Sequence, residues 1–202
     1  MASTEIFWYT GVERVPKNVR SVKFTDAVTK VGREAFRDCT NLKYVVLNEG
    51  LQTIGYRAFR NCSSLESVRF SSSVTHIDAS AFSECSKLRI VKLNKGIQVV
   101  GDWAFKRCSS LESIKLPSTV TEIGEYAFDR CTNLREAELN EGLRTIKKGA
   151  FRDCLSLKNI KVPTSVTKVG DHAFLNCSEL KLSDKVVVNE ELQLVRREGW
   201  LV

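Results

Sequence analysis

The sequence contains no apolar run near the roughly 18 consecutive residues that a membrane span requires, so we expect no segment that crosses a bilayer. Its first ten residues include Glu5 and no basic residue, and the apolar stretch from Ile6 to Tyr9 is too short for a secretory leader. These features predict an intracellular, cytoplasmic protein. A surface or extracellular location stays open if the chain is a fragment of a longer protein.

Signatures of catalysis and of metal binding are lacking as well. The two histidines, His76 and His172, have no Ser, Cys or carboxylate partner that recurs at a fixed spacing. The sequence has no glycine loop of the kind that cradles phosphate and no G-x-S-x-G elbow. It also has no pair of cysteines two to four residues apart, as zinc sites need. We therefore predict no enzyme, no catalytic residue, no cofactor and no metal.

The sequence does contain one unit that recurs every 23 residues. Its clearest mark is an alanine–phenylalanine pair, found without insertion at Ala35-Phe36, Ala58-Phe59, Ala81-Phe82, Ala104-Phe105, Ala127-Phe128, Ala150-Phe151 and Ala173-Phe174. The unit reads L-x-x-V-x-L-x-x-x-V-x-x-I-G-x-x-A-F-x-x-C-x-x. Its V-x-L segment has the period of a strand with one apolar face, and we interpret G-x-x-A-F-x-x-C as a short helical or 3₁₀ arm. Stacked units can bury these faces together, which predicts a parallel β-solenoid with arms opposite the sheet.

The loop after each V-x-L segment adds a second period of 46 residues. Loops of the type Asn48-Glu49-Gly50 alternate with loops such as Ser71-Ser72-Ser73 and Pro117-Ser118-Thr119. Glycine allows a positive φ that proline forbids, so odd and even units should turn differently.

Both ends of the chain depart from the repeat, as the caps of a solenoid must. We predict an N-terminal cap at residues 1–18, with Phe7, Trp8 and Tyr9 as an aromatic lid, and about seven repeats at residues 19–180. Residues 181–202 lose the apolar pattern and are predicted to form a divergent C-terminal cap.

Seven cysteines follow the repeat phenylalanine by three residues each, from Cys39 to Cys177. Packing alone explains such a column, because free cysteine behaves as a small buried hydrophobe. We predict reduced structural thiols, which favours a reducing compartment.

The G-x-x-A-F-x-x-C-x-x-L pattern resembles the BspA-type leucine-rich repeat family over residues 19–180. The resemblance implies an α/β solenoid, a right-handed leucine-rich-repeat superhelix with a parallel sheet on one face and short helical or 3₁₀ arms on the other. It also implies an adhesion or protein-binding module without catalytic residues. The family includes bacterial surface proteins that are secreted, and the start of this sequence differs from those because it does not read as a secretory leader.

The formal net charge of +7 lies in two columns of the repeat. The slot inside V-x-L and the slot after the leucine column together carry the whole excess, so the strand side is predicted to be the basic face. The first column reads Lys23, Val46, Arg69, Lys92, Lys115, Glu138, Lys161, and the second reads Arg20, Lys43, Glu66, Arg89, Glu112, Arg135, Lys158. Like charges stacked on adjacent strands repel, and two explanations stay open. Either Glu66 and Glu112 neutralise the column diagonally, or an acidic partner lies along the sheet.

We therefore predict a non-catalytic scaffold that binds a protein partner through the strand-lined basic face, whose charge suits an acidic partner. The residues predicted to bind are Tyr44, Val46, Arg69, Ile90, Lys92, Lys115 and Lys161. The alternatives are a polyanion, either nucleic acid or an acidic glycan, and an adhesion module of a larger surface protein. Nucleic acid is disfavoured because Tyr44 is the only aromatic residue of this predicted site for base stacking. Trp103 and Tyr126 share one arm slot in adjacent units and are either anchors for a partner or ordinary surface aromatics.

Overall fold

Each unit of the chain forms one turn of a parallel β-solenoid. The computed structural model describes residues 6–180, so the predicted C-terminal cap at 181–202 lies outside the described residues, as do residues 1–5. Strands are numbered in chain order, and every pairing among them is parallel. Three- and four-residue strands form one side, namely β1 (Ile6–Tyr9), β2 (Ser21–Phe24), β4 (Tyr44–Val46), β6 (Ser67–Arg69), β8 (Ile90–Lys92), β10 (Ser113–Lys115), β12 (Glu136–Glu138) and β14 (Asn159–Lys161).

A second sheet, which the sequence pattern did not predict, runs through two-residue strands. It has seven strands in the described residues, in the order β15-β13-β11-β9-β7-β5-β3. Their bounds are β3 (Lys30–Val31), β5 (Thr53–Ile54), β7 (His76–Ile77), β9 (Val99–Val100), β11 (Glu122–Ile123), β13 (Thr145–Ile146) and β15 (Lys168–Val169). These strands lie at the end of the V-x-x-I segment, and two residues are too few to show the alternating pattern by which a strand is recognised in a sequence.

The core is a set of columns that run along the solenoid axis. The repeat phenylalanines are buried and stack on one another from Phe36 to Phe174, with ring centroids 4.9 to 5.6 Å apart. The alanine before each phenylalanine belongs to the same core, and from Ala58 to Ala150 it is fully buried. The leucine column is equally buried from Leu42 to Leu157. Each rung therefore completes the core of its neighbours, as a solenoid requires.

The arms are successive turns, so the predicted helical or 3₁₀ arms, and with them the α part of the fold class, are wrong. Residues 6–180 contain no helix. Each arm places two residues in the left-handed region, such as Arg57 (φ 52°) and Asn61 (φ 58°), which no α-helix tolerates. The intervening main chain bonds to the next rung, as where the Phe59 amide donates to the Ala81 carbonyl oxygen at 2.8 Å. Turns closed between residues three apart give the same apolar spacing as one helical turn, which is why the sequence pattern was ambiguous.

The 46-residue period has a structural cause that differs from the one expected. None of Gly50, Gly96 and Gly142 adopts a positive φ. Instead, the asparagine of each glycine loop donates from Nδ2 to a main-chain carbonyl of the preceding rung, as Asn140 does to Val120 at 3.0 Å. In the alternate loops a hydroxyl does this, as Ser165 donates to Leu143 at 2.7 Å. The glycine is needed for space, since a Cβ on Gly142 would lie 2.7 Å from the Ser118 carbonyl oxygen.

The N-terminal segment adds a strand to the first rung. β1 pairs with β2 in parallel, Trp8 opposite Lys23 and Tyr9 opposite Phe24. Tyr9 is buried, and its ring meets Phe24 and Phe36 edge-on at 5.1 and 4.9 Å. Tyr9 thus covers the first ring of the phenylalanine column, whereas Trp8 is 57% exposed. The cap boundary at residue 18 stays a prediction.

Candidate functional site

We call the outward side chains of β1, β2, β4, β6, β8, β10, β12 and β14 the strand face. In each three-residue strand from β6 to β12 the central residue is buried and the two flanking residues are exposed. This follows from the two-residue period of a strand whose apolar central residue joins the core. All seven residues predicted from the sequence are exposed side chains of this face: Tyr44, Val46, Arg69, Ile90, Lys92, Lys115 and Lys161.

Strand register brings the charged residues of adjacent rungs into direct apposition. Arg69 lies opposite Lys92, and Lys115 lies opposite Glu138, which in turn lies opposite Lys161. Side chains that face each other on adjacent strands are close enough to interact strongly. The column is therefore cationic at Arg69 and Lys92 and of alternating sign from Lys115 onward.

Carboxylates pair with five of the ten basic residues in the two charged columns of the repeat. The Lys43 ammonium lies 3.1 Å from Glu66, and the Arg89 guanidinium lies 2.9 Å from Glu112. Glu66 and Glu112 are thereby paired within their own column, so the diagonal neutralisation considered from the sequence is wrong.

Two further lysines of the face are also paired. Lys115 bonds to Glu138, and Lys161 lies 3.5 Å from Glu141.

The other five basic residues of the two columns are Arg20, Lys23, Arg69, Lys92 and Arg135, and within residues 6–180 none of them has a carboxylate within 4.0 Å. Arg69 and Lys92 are the two of these that lie opposite each other on adjacent strands. Two adjacent cations without counter-charges repel each other, at a cost that an anion placed between them would remove. Arg69 and Lys92 therefore form a pair of adjacent cations without a counter-charge on the strand face.

Apolar side chains surround this cationic pair. Tyr44, Val46 and Ile90 are 53%, 54% and 51% exposed. Trp8 belongs to the same face, because β1 and β2 align it through Lys23 with the column of Val46. The sequence placed Trp8 only in the lid, since the missing arm between Pro16 and Val19 broke the 23-residue count that would have aligned it.

The arm side carries a smaller aromatic feature at the two predicted anchors. The rings of Trp103 and Tyr126 are parallel within 3°, with centroids 6.3 Å apart. The Tyr126 ring lies against Gly149, where an added Cβ would come within 2.3 Å of it. The Lys106 ammonium lies 5.8 Å from the same ring. Trp103 is 37% exposed, so one edge of this stack is open to a partner.

The seven thiols form a structural column. All are free and buried, and each from Cys62 to Cys177 donates to the carbonyl oxygen of the phenylalanine 26 residues earlier, at 3.1 to 3.2 Å. Burial raises the pKa of the Cys85 thiol to about 12, which suppresses the reactive thiolate.

Residues 6–180 hold no group of three or more His, Cys, Asp or Glu side chains arranged to bind a metal ion. No helix in this part of the chain is long and apolar enough to cross a membrane.

Similarity to known proteins supports the same architecture. A family model described as "BspA type Leucine rich repeat region (6 copies)" matches residues 15–112 and 58–181. The crystal structure of a leucine-rich repeat protein from T. pallidum is 28% identical, with a TM-score of 0.78, over 88% of this chain and 82% of that one. A leucine-rich cell surface protein from Faecalibacterium prausnitzii A2-165 is 29% identical with a TM-score of 0.55; the match covers 81% of this chain and 38% of that chain. No curated protein sequence matches the chain.

Proposed function

Because this chain belongs to the BspA-type leucine-rich repeat family, whose members generally mediate protein interactions or adhesion, we propose that it is a non-catalytic scaffold that binds a protein partner through the strand face. The observation that carries the proposal is the unneutralised pair Arg69 and Lys92 among exposed apolar side chains. Tyrosine, tryptophan and arginine at the centre of a patch are the residues that most often dominate binding energy. The family indicates no enzymatic activity.

The binding residues that we propose are the seven predicted from the sequence, with Trp8 added. The apolar members supply area that leaves water on binding, and the cations supply orientation and attraction to an acidic partner. The paired lysines Lys115 and Lys161 are expected to contribute less than Arg69 and Lys92, because their carboxylates already satisfy them. Trp103 and Tyr126 remain a second, smaller contact on the arm side.

The test is capture of partners from the native source, identification by mass spectrometry, and titration of each purified partner. A variant with Arg69→Glu, Lys92→Glu and Lys115→Glu should lose the partner by at least about tenfold in Kd, which corresponds to about 1.4 kcal/mol. The control carries Lys30→Glu, Arg144→Glu and Lys168→Glu, exposed positions in or beside the second sheet that give the same change of net charge. Equal binding of the strand-face variant and wild type would exclude this face.

A polyanion is the second candidate, and the same two cations favour it. If a polyanion binds here, its affinity should fall steeply as the ionic strength rises, because the binding is dominated by phosphate or sulfate contacts. A Kd that changes less than about twofold between 50 and 200 mM salt excludes it. Trp8 and Tyr44 are the only aromatic side chains of the strand face in the described residues, which gives little stacking surface for bases.

We propose an intracellular location, which the seven free thiols support because cysteines stay reduced there. The alternative is an adhesion module of a larger surface protein, favoured by the cell surface protein among the similar structures. Protease treatment of intact source cells separates the two, since only a surface module is digested.

A further inference from the structure

The sheet beneath the strand face is interrupted between β4 and β6. Strands β1, β2 and β4 form one sheet and β6 to β14 another, so β4 and β6 lie side by side without a hydrogen-bonded ladder. Val45, the central residue of β4, is only half-buried. Its counterparts Val22 and Val68 on the neighbouring strands are 1% and 2% exposed. The described part of the strand face is therefore less closely packed at Val45, and we call this place between β4 and β6 the opening.

A cavity of about 280 Å³ lies in this opening. Its lining is apolar at Val45, Val46, Leu47 and Phe70 and polar at Glu49, Arg69, Ser71 and Ser72. This volume is below the range of about 300–1,000 Å³ that is usual for small-molecule pockets, and it suits a single side chain. The cavity and the unneutralised cations thus adjoin each other.

The charges around the cavity are arranged asymmetrically. Glu49 lines it at the loop end, and its carboxylate is held there by the Ser72 amide and hydroxyl at 3.1 and 2.9 Å. Arg69 also lines the cavity, and Lys92 lies in register with Arg69 on the next strand. An anionic partner is repelled at the loop end and attracted on the side of β6 and β8.

We infer that this opening is the recognition point of the strand face, and that it takes one apolar or aromatic side chain from an acidic peptide segment whose neighbouring carboxylates pair with Arg69 and Lys92. The inference rests on the proposed function and narrows it to three rungs. Tyr44, Val46 and Ile90 then flank the inserted side chain and exclude water from the ion pairs, which strengthens them. An acidic protein segment is preferred to a nucleic acid because the site offers a cavity and apolar walls next to two cations.

The test uses a phage-displayed library of random dodecapeptides, panned on the immobilised wild-type chain. The expected enriched peptides contain a large apolar or aromatic residue with at least two carboxylates close to it. Synthetic copies are then titrated by fluorescence anisotropy against wild type, Arg69→Glu/Lys92→Glu, Lys115→Glu/Lys161→Glu, and the matched control Lys30→Glu/Lys168→Glu on the second sheet. We expect at least tenfold weaker binding to the first variant, a smaller loss for the second, and a change below twofold for the control.

A third variant separates the cavity from the charge. Val46→Lys adds a cation but replaces an apolar wall, so it should weaken the peptides about fivefold or more if the side chain enters the opening. Circular dichroism checks that each exposed substitution leaves the fold intact.

The outcomes distinguish this inference from the proposal on which it rests. If the peptides bind Arg69→Glu/Lys92→Glu as tightly as wild type but bind Lys115→Glu/Lys161→Glu more weakly, the inference is overturned. The strand face then remains the binding surface. Peptides that bind every strand-face variant like wild type overturn both. A library that enriches no acidic peptide, while a 20-nucleotide single-stranded DNA binds and is lost in Arg69→Glu/Lys92→Glu, overturns the inference in favour of a polyanion.

Discussion

The thiol of Cys62 donates a hydrogen bond to the carbonyl oxygen of Phe36, 26 residues earlier, across 3.1 Å. The repeat renews this bond at each later rung, so a column of thiols ties every arm to the one before it. The first member is weaker, since the Cys39 sulfur lies 3.9 Å from the Pro16 carbonyl oxygen.

Replacing a central thiol should therefore cost more stability than replacing the first one. Cys108→Ala leaves a small cavity and removes the 3.2 Å bond to Phe82, and we expect the free energy of unfolding to fall by about 1–2 kcal/mol. Cys39→Ala is the matched control and should cost clearly less. Urea unfolding followed by circular dichroism measures both, and equal losses would show that the hydrogen bond contributes nothing beyond packing.

Alkaline pH should destabilise the protein through the same thiols. Burial raises the pKa of Cys85 to about 12, whereas an unfolded thiol ionises near about 8.5. The folded state holds this proton more tightly than the unfolded chain does. The stabilisation that Cys85 gives the folded state is therefore fully present below about pH 8.5 and is lost as the pH rises towards 12. In that window each such thiol lowers the free energy of unfolding by about 1.4 kcal/mol per pH unit.

Cys85→Ala isolates this contribution because all other ionising groups are unchanged. Urea unfolding at several pH values between 8 and 11 should give a shallower decline for Cys85→Ala than for wild type. Parallel declines would mean that Cys85 ionises as easily in the folded state as in the unfolded chain.

The ion pair between Lys106 and Asp129 should matter more than those of the strand face. The two charged groups are 3.3 Å apart, and the Asp129 side chain is only 4% exposed. Lys106→Met leaves a buried carboxylate without its counter-charge, and we expect a loss of about 2 kcal/mol, because Lys106 is itself partly exposed. Lys115→Met breaks the exposed pair with Glu138 and should cost less than about 0.5 kcal/mol. Thermal unfolding of the two variants compares them, and similar shifts in Tm would contradict the expectation.

Position 149 should need a glycine mainly because the Tyr126 ring lies against it, and less because of its backbone angle. Its φ is 59°, but His172 occupies the same arm slot with a φ of 58°, so the angle alone is tolerated. A Cβ at Gly149 would lie 2.3 Å from Cε1 of Tyr126, so Gly149→Ala must displace that ring. We expect a loss of about 2 kcal/mol or more, of which roughly 1 kcal/mol is backbone strain.

The double-mutant comparison assigns the remainder to the ring. In a Tyr126→Ala background, Gly149→Ala should cost only about 1 kcal/mol, since no ring is left to displace. Tryptophan fluorescence gives a second readout, because moving Tyr126 disturbs its stacking with Trp103. The idea fails if Gly149→Ala costs the same in both backgrounds.

The opening between β4 and β6 shows how far the sequence pattern reaches on the candidate site. Tyr44, Val46, Arg69 and Lys92 were all identified as exposed, because a strand alternates strictly between core and solvent. The pattern treats every rung as equivalent, so it could not reveal that one rung lacks a ladder and holds a cavity. Only the packing of neighbouring rungs makes Val45 differ from Val68.

The sequence by itself determined the solenoid and its core columns, because a 23-residue period in apolar residues leaves stacked rungs as the way to bury them. The tertiary structure decided the conformation of the arms, since residues as different as Glu34 and Trp103 adopt the left-handed region when their amides bond to the next rung. It also decided which cations are neutralised. Counter-charges come from side chains on neighbouring strands, and whether Glu66 reaches Lys43 or Arg69 depends on geometry that no periodic pattern contains.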